Sequence, residues 1–125
     1  MLLKTGIDLI EIDRFSQAYK RHGERLLARI FTDQERRETQ ERIESLAVRF
    51  AAKEAVSKAL GTGIGVVGWK EIEIIRGEAQ EPIVRLQGNA EALAKKLGLV
   101  TWAVSLTHNR DLAIASVVAS GPTST

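Results

Sequence analysis

Apolar and polar positions along this chain switch between two periods, and each switch marks an element. Residues 2–9 are apolar and β-branched with one glycine and end near Asp8, which predicts an opening strand. From Ile12 the spacing turns helical, with Phe15, Ala18 and Tyr19 apolar, and Gly23 interrupts it. Leu26, Leu27, Ile30 and Phe31 form a second, short apolar patch. Thr32-Asp33-Gln34-Glu35 reads as a capping box: Thr32 accepts from the third helical amide, and Glu35 reaches back to the Thr32 amide. The strongest helix is expected over 40–60. Ile43, Leu46, Ala47 and Phe50 recur three and four apart, and Ala51, Ala52, Ala55 and Ala59 favour the helix and allow close packing. Gly61 supplies its stop.

After Gly61 the pattern changes. Residues 61–68 hold glycines at 61, 63, 65 and 68 and read as a loop. Residues 71–76 alternate as a strand, 77–82 turn, and 83–86 return as the second arm of a hairpin. Asn89 is placed to cap a helix through Leu97, with Gly98 behind it. Residues 101–107 and 112–118 are β-branched runs joined by a turn at His108-Asn109-Arg110-Asp111. The expected fold is α+β, a mostly antiparallel sheet packed against one long helix and shorter helices. A single domain is expected over 1–119, with a flexible tail at 120–125.

Composition narrows the chemistry. A chain of 125 residues, 44% hydrophobic and 27% charged, suits one soluble domain. With no cysteine, disulfides, thiolate nucleophiles and cysteine-bound zinc or iron–sulfur centres are excluded. The longest uncharged stretches, 59–69, 97–109 and 112–125, fall short of a membrane span. Met1-Leu2-Leu3-Lys4 does not resemble a secretion signal, so the expected location is the cytoplasm, away from the membrane.

The net charge is only +2, but it is unevenly spread. Residues 1–60 hold twelve Lys/Arg against ten Asp/Glu, and 61–125 hold six of each. Between Arg14 and Arg29 five cations face one acid, Glu24. At about 100° per residue Arg14, Arg21 and Arg25 fall within roughly 40° of one another and form a basic stripe, extended by His22 and Arg29. Such a stripe is either a solvated face or a dock for an acidic partner. The six aromatic residues do not interleave with it, which argues against a nucleic-acid platform.

Three residues carry candidate chemistry. Asp8 is a carboxylate in an otherwise apolar strand. Phe50, Glu54 and Lys58 are four apart, so they stack on one helix face, continuing the column of Ile43 and Ala47 towards the sheet. Taken alone, Glu54 and Lys58 are an ordinary i,i+4 pair. The glycines after Lys58 change the picture, because they leave backbone amides open to an anion while Lys58 can neutralise phosphate. Two carboxylates, a lysine and a glycine-rich loop describe a site for Mg²⁺ and a diphosphate. His22 reads as a surface residue, and His108 either donates to a phosphate or bonds the turn backbone.

Two segments carry a resemblance. Gly6-Ile7-Asp8-Leu9-Ile10-Glu11-Ile12-Asp13-Arg14, and the run from Arg49 through Lys53, Glu54, Lys58 and Gly61 to Gly65, resemble the short 4′-phosphopantetheinyl transferases, the holo-[acyl-carrier-protein] synthase family. Val104-Ser105-Leu106-Thr107-His108 resembles the family's terminal Ser-x-(Thr/Ser)-His strand. Thr5 departs from the glycine common in the opening motif, and Trp69 with the hairpin after it is less family-like. The resemblance implies transfer of the 4′-phosphopantetheine arm of coenzyme A to a serine of an acidic apo acyl carrier protein, by default that of fatty-acid synthesis. Adenosine 3′,5′-bisphosphate would be released. It implies Asp8 and Glu54 as Mg²⁺ ligands, Glu54 and Lys58 as catalytic residues, and Arg49, Lys53, Lys58, Gly61 and His108 around coenzyme A. It also implies Arg14, Arg21 and Arg25 as the carrier dock, and a homotrimer with sites between subunits. Either Glu54 or a Mg²⁺-bound water takes the serine proton. The alternative is a non-catalytic adaptor that binds an acidic protein through Arg14, Arg21 and Arg25, with no need of a cation.

Overall fold

The computed structural model describes residues 1–123. Its centre is the helix expected from the alanine-rich run, α4 (Ile43–Leu60). The helix is buried nearly all round, with Leu46, Ala47, Val48, Ala51, Ala52, Ala55, Val56, Ala59 and Leu60 shielded from solvent. Small side chains at Ala51, Ala55 and Ala59 let other elements pack close on several sides.

Around α4 run β1 (Leu2–Glu11), α1 (Ile12–His22), α2 (Glu24–Ile30) and α3 (Asp33–Thr39) before it in sequence. After it come β2 (Ile72–Arg76), β3 (Pro82–Leu86), α5 (Gly88–Leu97), β4 (Thr101–His108) and β5 (Leu112–Gly121). The fold is α+β as expected, with the strands divided between two antiparallel sheets. One is three-stranded in the order β1-β5-β4, and the other is the β2-β3 hairpin. In the larger sheet Asp8 lies opposite Ala115, which in turn lies opposite Leu106.

Two apolar clusters share α4. Its C-terminal half packs with Val67, Ile72, Ile74, Ala90, Ala115 and Val117. Its N-terminal half packs with Ile12 and Phe15 of α1, Leu27 and Ile30 of α2, and Phe31. The capping box forms as expected: the Glu35 amide donates to Thr32 Oγ1 at 3.2 Å, and the Thr32 amide donates to Glu35 Oε1 at 2.9 Å. Arg36 fastens the short helices by bonding Glu24 of α2 and Glu41 of the α3–α4 turn.

Four boundaries differ from expectation. β1 runs on to Glu11 and leads straight into α1. The long helix begins at Ile43, because Gln40 and Glu41 both take left-handed backbone angles that end α3 and reset the chain. α5 begins at Gly88, and Asn89 does not cap it with its side chain; instead Glu71 Oε2 accepts the Asn89 amide at 2.8 Å. β5 extends to Gly121, so Ser120 and Gly121, expected in a tail, are paired with Leu3 and Leu2. Residues 124 and 125 of that expected tail lie outside the described residues.

Candidate active site

The sheet brings Asp8 to α4 through strand periodicity. Gly6, Asp8 and Ile10 turn towards the helix, and Leu3, Ile7 and Leu9 turn outward and are exposed. Lys58 Nζ lies 3.0 Å from Asp8 Oδ1 and also donates to the Ile7 carbonyl at 2.9 Å. Asp8 is 17% exposed and Lys58 is 52% exposed, so the pair sits at the mouth of the strand–helix seam. Glu54 is half-buried one turn before Lys58. Burial pushes the Glu54 carboxyl above its ordinary pKa, the Asp8 charge adds to the rise, and Lys58 opposes it. The column Phe50-Glu54-Lys58 meets the sheet as the spacing suggested, and it grows more open along its length, from Phe50 packed on Phe15 and Trp69 to the exposed Lys58.

The glycine-rich loop differs from expectation. Gly61, Gly63 and Gly65 take positive φ, but their amides are already engaged. Gly61 donates to Lys58 O at 3.0 Å, Gly63 to Ser57 O at 3.2 Å, and Gly65 to Val67 O at 2.9 Å. The expectation that the loop glycines leave their amides open to an anion is thus corrected: the Gly61 amide closes the helix. At the far end, Glu71 Oε1 accepts the Gly68 amide at 2.7 Å, which pins the loop exit.

Lys53 requires a second correction. It was expected near coenzyme A, but its side chain is wholly buried and paired with Glu35 Oε1 at 2.8 Å. Its ammonium also donates to the carbonyls of Trp69 at 2.9 Å and Ile72 at 2.6 Å, so all three protons are committed inside the protein. Burial lowers the Lys53 pKa, and the Glu35 carboxylate counters that fall. Around this pair Glu35 Oε2 accepts the Ile74 amide, and Thr32 donates to Glu73 Oε2, which neighbours Arg85. Among the described residues no buried side-chain nitrogen or oxygen lacks a partner. The sequence reading missed this network. Its one local signal was a lysine set among alanines, Ala51-Ala52-Lys53, with an acid in the capping box upstream. Trp69, noted only as a departure, stacks on Phe50 with ring centroids 4.8 Å apart.

Arg49 and His108 lie together but away from Asp8. Both line a groove of about 180 Å³ with Ser45, Val48, Ile74 and Arg76. Arg49 is tied to Glu38 at 3.1 Å and to the Ile74 carbonyl. Burial works to raise the Glu38 pKa, but hydrogen bonds from Gln34, Arg49 and the Arg76 amide outweigh it and hold the carboxyl below its ordinary value. Asp8 stands on β1 and His108 on β4, the two edges of the sheet with β5 between them. Two strand spacings, about 10 Å, therefore separate their backbones. His108 is the last residue of β4, and the turn after it is held by Asn109, whose Oδ1 accepts the Asp111 and Leu112 amides.

The arginine stripe is broken. Gly23, with φ of 57°, ends α1, so Arg14 and Arg21 lie on α1 and Arg25 on α2. Arg14 borders a groove of about 320 Å³ with Leu9, Ile10, Glu11, Phe15 and Phe50. Arg25 borders another of about 240 Å³ with His22, Leu26 and Arg29. Among the described residues Arg14, Arg21, Arg25 and Arg29 are in no ion pair.

Comparison with known proteins gives this arrangement its class. The sequence model of the 4′-phosphopantetheinyl transferase superfamily matches residues 4–117, nearly the whole chain. A holo-[acyl-carrier-protein] synthase of Herpetosiphon aurantiacus is 45% identical over 127 residues, spanning 96% of this chain and all of that one. The holo-[acyl-carrier-protein] synthase of Helicobacter pylori, crystallised with coenzyme A, superposes with a TM-score of 0.85 at 31% identity, covering 93% of this chain and 99% of that chain. The Bacillus anthracis synthase in complex with CoA (3′,5′-ADP) gives a TM-score of 0.78 at 31% identity, covering 95% and 96%. The chain belongs to the holo-[acyl-carrier-protein] synthase family within that superfamily, and it is an enzyme. Among the described residues no helix is long and apolar enough to cross a membrane.

Proposed function

We propose that this chain moves the 4′-phosphopantetheine arm of coenzyme A to a serine hydroxyl of an acidic apo acyl carrier protein, releasing adenosine 3′,5′-bisphosphate, in the cytoplasm. The observation that carries the reading is the seam where Asp8, Glu54 and Lys58 converge, in a chain of this family.

The donors at the seam suit Mg²⁺. They are two carboxylates, and among the described residues no third acid or histidine joins them. Mg²⁺ commonly takes one or two carboxylates and completes its shell with water and substrate phosphate oxygens. Asp8 and Glu54 would hold it, and when bound it offsets charge on the diphosphate. The chain's own groups do the rest. Lys58 presents an exposed ammonium where phosphate charge would grow, and it can leave Asp8 for the ligand because their contact is solvent-facing. Glu54, half-buried at the seam beside Asp8 and Lys58, is placed to accept the serine proton. The serine oxygen then attacks the β-phosphorus, and the bisphosphate leaves with the bond electrons. Arg14, Arg21 and Arg25, in no ion pair among the described residues, would meet the acidic carrier.

Two features favour a homotrimer with sites between subunits. Asp8 and His108 sit on opposite edges of the sheet, where a second copy could bring its own His108 to the Asp8 seam. The outward sheet face is also apolar: Leu3, Ile7 and Leu9 are 57%, 62% and 53% exposed. The test is mass spectrometry of an apo carrier after incubation with coenzyme A and Mg²⁺. The expected result is a phosphopantetheine adduct, lost with EDTA; no adduct on any apo carrier defeats the proposal. Light scattering is expected to give three times the chain mass, and a monomer would remove the assembly from it.

A further inference from the structure

The candidate site is split between two elements. Asp8 is on β1, and Glu54 and Lys58 are on α4, so their separation depends on how closely the strand seats against the helix. The closest approach is at Gly6, two residues before Asp8 on the same strand face. A Cβ at position 6 would overlap the Ala55 carbonyl oxygen, lie 2.8 Å from the Ala55 carbonyl carbon and 3.1 Å from the Ala59 nitrogen. Gly6 is not among the positive-φ residues, so its glycine is explained by space and not by backbone freedom. Carbon atoms in contact sit about 3.5–4.0 Å apart and the oxygen overlap is tighter still, so a methyl there would move the strand off the helix by at least about 1 Å. Ala55 follows Glu54 directly and precedes Lys58 by one turn. The bonds from Lys58 to Ile7 O at 2.9 Å and to Asp8 Oδ1 at 3.0 Å cross the same gap.

We infer that Gly6 is a positioning residue for the transfer: lacking a side chain, it seats β1 against Ala55 and Ala59 so that Asp8 meets Glu54 and Lys58. The inference rests on the reading of those three residues as the site. The fold supplies its own control. A Cβ at Gly121, at the end of β5, would overlap the Gly98 carbonyl oxygen and lie 2.9 Å from its carbon, a comparable clash away from all three residues.

The experiment compares full-length Gly6→Ala, Gly121→Ala, Glu54→Gln and Asp8→Asn with the parent. It measures kcat and the carrier KM, Tm, and Mn²⁺ binding by electron paramagnetic resonance. Gly6→Ala is expected to lower kcat about 100-fold, as a displacement near 1 Å can, with the carrier KM within about threefold. Its Mn²⁺ affinity is expected to fall about tenfold or more. Gly121→Ala is expected to lose a similar amount of Tm while its kcat and Mn²⁺ affinity stay within about threefold of the parent. A folded Gly6→Ala enzyme with parental kcat and Mn²⁺ affinity overturns the inference, as does an equal loss of kcat in Gly121→Ala. Should Gly6→Ala fail to fold, Ala55→Ser, which adds one oxygen at a wholly buried residue whose backbone meets Gly6, takes its place. There a kcat loss of about tenfold at constant carrier KM supports the inference, and unchanged kcat overturns it. If Glu54→Gln and Asp8→Asn are impaired while Gly6→Ala is not, only the inference falls. If both keep full activity, the site reading falls with it.

Discussion

Lys53 and Glu54 are neighbours in sequence and opposites in circumstance. Lys53 points into the protein, where Glu35 and two carbonyls consume its ammonium. Glu54 points to the seam with Asp8 and Lys58, where its ionised form is disfavoured by burial and by a like charge. One side of α4 thus holds a satisfied charge and the other an unsatisfied one. A satisfied buried ion pair has little left to offer a ligand, while an acid crowded by another acid gains from a cation or a proton. The helix serves as scaffold on the first side and leaves an unmet charge on the second.

That contrast can be broken by experiment. Glu54→Gln is expected to cut transfer by about 10²- to 10⁴-fold, the range for losing a proton-transfer group, without lowering Tm. A Glu54→Gln protein that unfolds early would erase the distinction between the two sides. Lys53→Met should do the reverse, destabilising the fold by about 3–5 kcal/mol because Glu35 is left charged and unpaired in the core. Urea unfolding measures it, and the Lys53→Met/Glu35→Met double variant should lose less than the two single variants summed. If Lys53→Met instead kept its stability and lost only coenzyme A affinity, Lys53 would return to the ligand side. Lys58→Met should lower transfer but shift stability by no more than about 1 kcal/mol, since its pair with Asp8 faces solvent.

The smallest effect lies in pH. Glu38 has a lowered pKa, so the stability it contributes is present above its unfolded value near 4.5 and is lost as pH falls through the folded one. Glu54 has a raised pKa, so its contribution is greatest below 4.5 and is lost as pH rises through the folded value. Glu38→Gln should therefore lower Tm at neutral pH, and Glu54→Gln should leave it equal or slightly higher. Both differences should shrink in acid, and a shared sign at neutral pH would contradict the assignment.

What the sequence disclosed follows the range of each interaction. The capping box at Thr32 and Glu35 was legible because its partners are three residues apart. Asp8, Glu54 and Lys58 were legible through a four-residue spacing and a family resemblance. How open that column lies was not, because α4 is buried by elements from both ends of the chain and its apolar face is not unique. Lys53 was misplaced for the same reason: its partners arrive from two separate segments, Glu35 before the helix and Trp69 and Ile72 after it. The cap on α5 comes from Glu71, 18 residues before the amide it accepts, and no local rule for Asn89 reveals it. The arginine stripe failed at one residue, since a single left-handed glycine redirects everything after it.

The pairing of β1 with β5 has a consequence for how the enzyme comes into being. The strand that carries Asp8 takes its sheet partner from residues 112–121, with Leu2 opposite Gly121. During synthesis β1 must wait for about a hundred further residues before it can be hydrogen-bonded in place. Contacts so distant in sequence slow folding and leave an apolar strand edge open on the ribosome in the meantime. Asp8, which it carries, therefore joins Glu54 among the last events of maturation. A nascent chain lacking β5 has every residue of the seam and no seam.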